Sequence, residues 1–349
     1  MHRFDPNDSM TLQIESDVPL RALNTFGVAA TARRLVRVRT ERDVRRIVDH
    51  PELGRMPKLV LGGGSNLLLT GDVDALVVKV EIAGRRVLED DARSTLIEVG
   101  AGESWHELVA WTLEQGYPGL ENLALIPGTA GAAPVQNIGA YGMELADRLE
   151  SVDVVDFVTG RCATLPAAHC RLAYRDSVFK HELAGKSLIT AIRLRLPKPW
   201  VPVTGYADVE RWLQREQIGD PTPRDVFDAV CAIRRGKLPD PQALGNAGSF
   251  FKNPVVNRTI RNEILADHPD IVSYPLPDGT YKLAAAWMIA ACGWKGRTLG
   301  AAGVHEQQPL VLVNRGGASG ADVLELAHAV QESVQRKFGL RLEIEPLVV

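Results

Sequence analysis

Residues 126–142, IPGTAGAAPVQNIGAYG, constrain the chain most. Ten of these seventeen residues are glycine, alanine or proline, and none is charged. A core strand would be bulkier, and a surface loop more polar. Small, uncharged and turn-rich backbone suits a wall lying flat against a large planar ligand; a buried Ω-like loop is the plainer alternative.

A second glycine run, LGGGSN at 61–66, follows KLVLG, which reads as a buried strand. Gly62, Gly63 and Gly64 let backbone N–H groups turn toward an anion, and Ser65 and Asn66 add side-chain donors. The same residues also fit a tight turn between strands. A nicotinamide-type fingerprint needs a third glycine opening a helix, and Leu67 stands there instead. A third stretch, GNAGSFFKNP at 245–254, sets Ser249 on bare backbone and follows it with Phe250 and Phe251. It looks built to hold one hydroxyl where something approaches the backbone closely, although a glycine-loop serine also bonds its own backbone.

With 349 residues, two domains are expected. DALVVKVEI (74–82), TLIEVGAG (95–102), VDVVDFVTGRCATL and SLITAIRLRL read as strands. Ser104 and Glu107 signal a helix start and Gly116 its end. PKPWVP at 197–202 marks a domain boundary. Thr222 and Pro223 cap a helix that Gly236 stops, and Ser319 opens one that Gly339 closes. LRLEIEP then alternates, with Arg341, Glu343 and Glu345 on one face. The class is α+β. A net charge of -3 gives no nucleic-acid footprint. Four cysteines without metal spacing suit a reducing compartment, and no metal site is expected. MHRFDPNDSM lacks the apolar run of a signal peptide, and LAAAWMIAAC is too short to span a membrane. A cytoplasmic monomer without membrane contact is expected.

Together with AYRDSVFK (173–180) and the terminal LEIEP, these stretches resemble the UDP-N-acetylenolpyruvoylglucosamine reductase family in its longer, type I form, from Asn24 to Glu345. The resemblance implies a two-part FAD-binding domain of the vanillyl-alcohol-oxidase (PCMH-type) kind at 24–199, its subdomains split near 70–80. It also implies a C-terminal α/β substrate-binding domain at 220–345, its last strand returning to the N-terminal part. FAD would be non-covalent, since neither glycine loop holds His or Cys. NADPH would be the co-substrate, reducing an enolpyruvyl ether on a UDP-sugar in peptidoglycan precursor synthesis.

The resemblance makes Ser249 the proton donor, Arg175 the catalytic arginine that clamps a carboxylate and Glu345 the catalytic glutamate, protonated or a hydrogen-bond partner, with Glu343 as rival. FAD contacts would be Gly62, Gly63, Gly64, Ser65, Asn66, Ile126, Pro127, Gly128, Gln136, Asn137, Gly139, Ala140 and Tyr141. Substrate contacts would be Tyr206, Lys237, Asn253, Tyr274, Lys282 and Gln308. Two other functions share these features. One is an FAD-dependent sugar or alcohol oxidase; the other is a nucleotide-sugar-binding protein that lost the chemistry.

Overall fold

The computed structural model describes residues 12–349; the MHRFDPNDSM segment lies outside the described residues. The chain opens with β1 (Ile14–Pro19), β2 (Thr31–Val38), α1 (Glu41–Asp49), β3 (Lys58–Leu61), the short β4 (Leu67–Leu68) and β5 (Val73–Val80). The sheet order is β1-β2-β5-β3, with β5 parallel to both neighbours. Thr40 and Asp43 form a capping box that starts α1.

The middle of the chain supplies β6 (Arg85–Asp90), β7 (Ser94–Gly100), α2 (Trp105–Glu114), the hairpin β8 (Gly139–Ala140) and β9 (Met143–Glu144), β10 (Leu149–Asp156), β11 (Cys162–Pro166) and β12 (Ser187–Pro197). Here the sheet is antiparallel, in the order β11-β10-β12-β7-β6. Helices α3 (Ala207–Arg215) and α4 (Pro223–Lys237) follow.

The last part holds β13 (Gly245–Ser249), β14 (Val255–Val256), α5 (Arg258–Asp267), β15 (Ser273–Pro275), β16 (Tyr281–Leu283), α6 (Ala285–Ala291), β17 (Thr298–Leu299), β18 (Ala302–Val304), β19 (Val311–Asn314), α7 (Gly320–Phe338) and β20 (Leu347–Val348). Its sheets run β13-β19-β18-β17 and β14-β16-β15. The apolar stripe of α7, from Val323 to Phe338, packs into this part's core.

Two hydrophobic cores meet at the first sheet. Val36, Val38, Leu76 and Val78 face one core, shared with α1, β7, β10 and β12. Leu35 and Val77 face the other, shared with Phe250, Phe251 and α7. Alternation along each strand places successive side chains on opposite faces, so this sheet is buried on both.

The Pro-rich boundary does not separate these cores. Val209 and Leu213 of α3, and Phe227, Ala229 and Val230 of α4, pack with the middle sheet. A substrate domain starting at 220 would take α4 with it; the buried face of α4 ties it to the preceding part instead. Gly236 does not stop α4, which runs one residue further.

Two segments fasten the first part to the last. Thr25 N–H donates to the Gly64 carbonyl at 3.1 Å, and Asn246 N–H donates to the Thr25 carbonyl at 3.0 Å. Thr25 Oγ1 also donates to Asn246 O at 2.6 Å. At the C-terminal side, β20 pairs in parallel with β4. Just before it, residues 343–345 run antiparallel to 250–252, with Glu345 N–H on Phe250 O and Lys252 N–H on Glu343 O, both 2.9 Å.

Leu35 and Leu76 are fully buried but serve opposite cores. Leu35→Ala and Leu76→Ala are each expected to lower the unfolding free energy by roughly 2–5 kcal/mol in urea titrations. A near-neutral result for either would mean the sheet is covered on one face only.

Candidate active site

The two glycine stretches meet backbone to backbone. A Cβ on Gly63 would stand 2.8 Å from the Gly128 Cα, and one on Gly64 would overlap the Leu23 carbonyl oxygen; Gly64 also has φ of +64°. Only glycine fits both positions. Ser65 Oγ donates to Pro127 O at 3.1 Å, Asn66 Nδ2 donates to Gln136 Oε1 at 2.6 Å, and Lys79 Nζ holds the Gly62 carbonyl from below.

Between these loops and the end of the chain lies a cavity of about 670 Å³, within the ~300–1,000 Å³ range of ligand sites. Gly62, Gly63, Gly64, Ser65, Asn66, Ile126, Pro127 and Gln136 line it. So does Ser187, whose buried hydroxyl has no partner among the described residues. A large space walled by glycine backbone, with an unsatisfied hydroxyl in it, fits an FAD.

The other expected cofactor residues stand outside that lining. Gly128 packs behind Gly63. Asn137 is buried and its amide is spent on Glu144 Oε2 (2.7 Å), Ala173 O (3.2 Å) and the Ala146 N–H (3.0 Å). The Gly139 carbonyl accepts from Arg175 Nη2 at 2.8 Å. Ala140 and Tyr141 form the β8–β9 turn, with the Tyr141 ring edge-on to Tyr206 at 5.2 Å. Leu125, Asn137, Tyr141 and Arg175 all have positive φ, near +50°. Such strain in non-glycine residues clusters where the surroundings over-determine the backbone, commonly at functional sites.

Arg175 Nε lies 3.1 Å from Glu345 Oε1, and the Glu345 side chain is 9% exposed. Burial pushes the Glu345 carboxyl above its usual range, while Arg175, Lys180 and Lys252 pull it back. Glu343 also borders the cavity, but its side chain is 68% exposed and pairs with Lys252. The alternating pattern placed both glutamates on one face; depth separates them.

Ser249 ends β13 opposite Val311. Gly248 before it has φ of +68° and a bulge interrupts the pairing. Phe250, next in the chain, is fully buried and its carbonyl receives the Glu345 N–H. Ser249 does not line the cavity, and among the described residues its hydroxyl has no hydrogen-bond partner.

The expected substrate residues form a second group beside Arg175. Lys282 pairs in register with Tyr274, and its ammonium lies 5.1 Å over the Tyr174 ring. Burial and Arg175 lower its pKa. Asn253 takes the Ala285 N–H on Oδ1 and gives its own N–H to the Tyr174 hydroxyl. Tyr206 and Tyr274 are exposed, and burial of its hydroxyl end together with Asp208 raises the Tyr206 pKa. Lys237, at the end of α4, pairs with Asp208. Gln308 lies in the turn entering β19, its N–H on His305 Nδ1; this bond gives His305 a local structural task.

Arg234 was not legible in the sequence. It sits in the last turn of α4, where a cation commonly faces solvent at the helix C-terminus. Here its Nε is enclosed without a partner among the described residues. Burial lowers its pKa, and Tyr141 and Arg175 stand beside it. A guanidinium keeps its charge even so, so the pocket holds a cation with donor capacity to spare.

No helix among the described residues is long and apolar enough to cross a membrane. Among the same residues no group of three or more His, Cys, Asp or Glu could hold a metal ion.

The family model for the C-terminal domain of UDP-N-acetylenolpyruvoylglucosamine reductase matches residues 240–349, and the FAD-binding-domain model matches 32–165. The UDP-N-acetylenolpyruvoylglucosamine reductase of Burkholderia vietnamiensis is 56% identical over 344 residues, covering 98% of this chain and 99% of its own. That of Paraburkholderia phymatum is 53% identical over 339 residues, covering 97% and 98%. The crystal structure of the Thermus caldophilus enzyme superposes with a TM-score of 0.66 at 27% identity, covering 97% of this chain and 99% of that one. Identity this high over nearly the whole length settles the membership: the chain belongs to the UDP-N-acetylenolpyruvoylglucosamine reductase family.

Proposed function

We propose that the chain catalyses the NADPH- and FAD-dependent reduction of UDP-N-acetyl-3-O-(1-carboxyvinyl)-glucosamine to UDP-N-acetylmuramate. This is a step in building peptidoglycan precursors, and through them in cell shape and division. We assign it to the cytoplasm, as a monomer. The observation that carries the reading is the buried Arg175–Glu345 pair at the edge of the glycine-walled cavity, on a segment hydrogen-bonded to the residue after Ser249.

Gly62–Asn66, Ile126, Pro127 and Gln136 would hold FAD non-covalently, and FAD would supply the hydride taken from NADPH. The protein's own groups handle the charge and the proton. Reduction of the enolpyruvyl double bond loads negative charge onto the carbon beside the carboxylate. Arg175 and Arg234 offer planar cations that hold that carboxylate by paired hydrogen bonds. Glu345, whose carboxyl burial raises above its usual range, serves as a hydrogen-bond partner for the same group. Ser249, with its hydroxyl free, delivers the proton to carbon. Lys237, Asn253, Tyr206, Tyr274, Lys282 and Gln308 serve the nucleotide-sugar.

The purified protein should be yellow, and anaerobic NADPH should bleach it. The enolpyruvyl UDP-sugar should restore the colour without oxygen. Colour returned by oxygen but not by that substrate would favour the oxidase reading; no response to either would favour a binding protein.

Ser249→Ala should still bleach with NADPH but reoxidise with substrate at least ~10²-fold more slowly. Equal reoxidation rates would remove Ser249 from the chemistry. Arg234→Met should retain FAD while KM for the UDP-sugar rises roughly tenfold to a hundredfold, the size of a lost charge-assisted bond. An unchanged KM would leave Arg234 without a part in binding.

The raised Glu345 pKa makes a stability prediction as well. The native state holds this proton more tightly than the unfolded chain does. Its contribution is therefore full below the unfolded value of about 4.3 and is lost as pH rises through the native value. Urea midpoints measured upward from pH 4 should fall more steeply for wild type than for Glu345→Gln. Parallel slopes would mean that the native carboxyl is not raised.

A further inference from the structure

At the end where Glu345 enters, the cavity wall carries Asp176, Lys180, His181, Lys252, Glu343 and Glu345. Most of these groups have a side-chain partner. Asp176 holds His181 Nε2 at 2.8 and 2.9 Å. Lys252 pairs with Glu343, and Glu345 with Arg175. Lys180 is the exception. Its ammonium donates to a neutral acceptor, the Arg175 carbonyl, at 3.0 Å. Among the described residues no carboxylate lies in ion-pair contact with it.

Lys180 is also held in place. It ends a short 3₁₀ turn, Val178–Lys180. Ser177 is buried, donates its hydroxyl to Val135 O at 2.6 Å and accepts the Phe179 N–H at 3.2 Å. The turn is thereby bolted to the glycine-rich stretch that walls the cavity. Lys180 itself is half-buried, and burial, together with nearby Lys252, depresses its pKa. A cation in such a place is costly and strongly felt by any charge in the cavity.

We propose that Lys180 is the fixed positive charge that sets the reduction potential of the bound flavin. This rests on the cavity being the FAD site with its redox end toward Glu345. Uptake of a hydride, two electrons with one proton, adds one negative charge to the acceptor. The Lys180 ammonium stabilises the acceptor more after that uptake than before, so it favours reduction by NADPH. Of the neighbouring carboxylates, Glu343 and Glu345 each face a cation of their own, Lys252 and Arg175.

The test is the midpoint potential of bound FAD, by anaerobic dye titration of wild type, Lys180→Met and Lys180→Arg. Lys180→Met is expected to disfavour reduction by tenfold or more in the equilibrium constant, about 30 mV for a two-electron couple, with Lys180→Arg near wild type. A Met variant within a few millivolts of wild type while holding FAD would overturn the proposal. Should Lys180→Met bind FAD weakly, titrating its apoprotein with oxidised and with reduced FAD decides the matter. Loss of affinity concentrated in the reduced form supports the proposal; equal loss in both forms defeats it. Wild-type protein that binds no FAD would instead sink the functional reading on which the proposal rests.

Discussion

The structure depends on how the first glycine loop is fastened to the strand that carries Ser249. Thr25 bridges them from one side, bonding Gly64 and Asn246 at once. The chain from Glu343 to Val349 bridges them from the other, running along Phe250–Lys252 before pairing with β4. Asn66 joins this second fastening directly, since its carbonyl accepts the Leu347 N–H at 3.0 Å. The role proposed for Ser249, a hydroxyl brought within reach of a reacting carbon, tolerates little play. Two independent sets of backbone bonds, rather than one hinge, remove that play.

The same fastening explains the first sheet. A parallel sheet buries both faces most easily when something lies on each. Here the FAD-binding part lies on one face and the serine-bearing part on the other. The two cores therefore share β2 and β5 instead of meeting at an interface of surface residues. The glycine loops and the strand that carries Ser249 are positioned by one shared layer between them.

Much of this was legible in sequence for a definite reason. Capping residues act locally, so Thr222 with Asp225 and Ser319 with Asp322 announce their helices wherever they occur. The glycine stretches were legible because close backbone approach leaves few other residues possible, as at Gly63 and Gly64. Burial of single polar groups was not. Glu343 and Glu345 have the same spacing, sign and strand face, and only the tertiary neighbours Lys252 and Arg175 tell them apart. Arg234 looked like a solvated helix end because its enclosure comes from Tyr141, ninety-three residues earlier in the chain. The membership of α4 was hidden likewise: its apolar stripe says that it packs, not against which sheet.

Among the described residues the Ser187 hydroxyl, the Arg234 Nε and the Gln331 Oε1 are enclosed without partners, and the Ser249 hydroxyl lacks one in its half-buried place. A buried polar group left unbonded costs about 1–3 kcal/mol, and folded proteins rarely keep several without cause. Gln331 lies on α7 and gives its amide N–H to Leu342 O; the other three stand on the cavity wall, beside Tyr141 and at the end of the bulged strand β13. On the proposed function a ligand would complete each of those three: the cofactor for Ser187, a carboxylate or phosphate for Arg234, the reacting carbon for Ser249. The free energy withheld in folding is then recovered on binding. A protein that only stored its cofactor would need the first of the three and gain nothing from the other two.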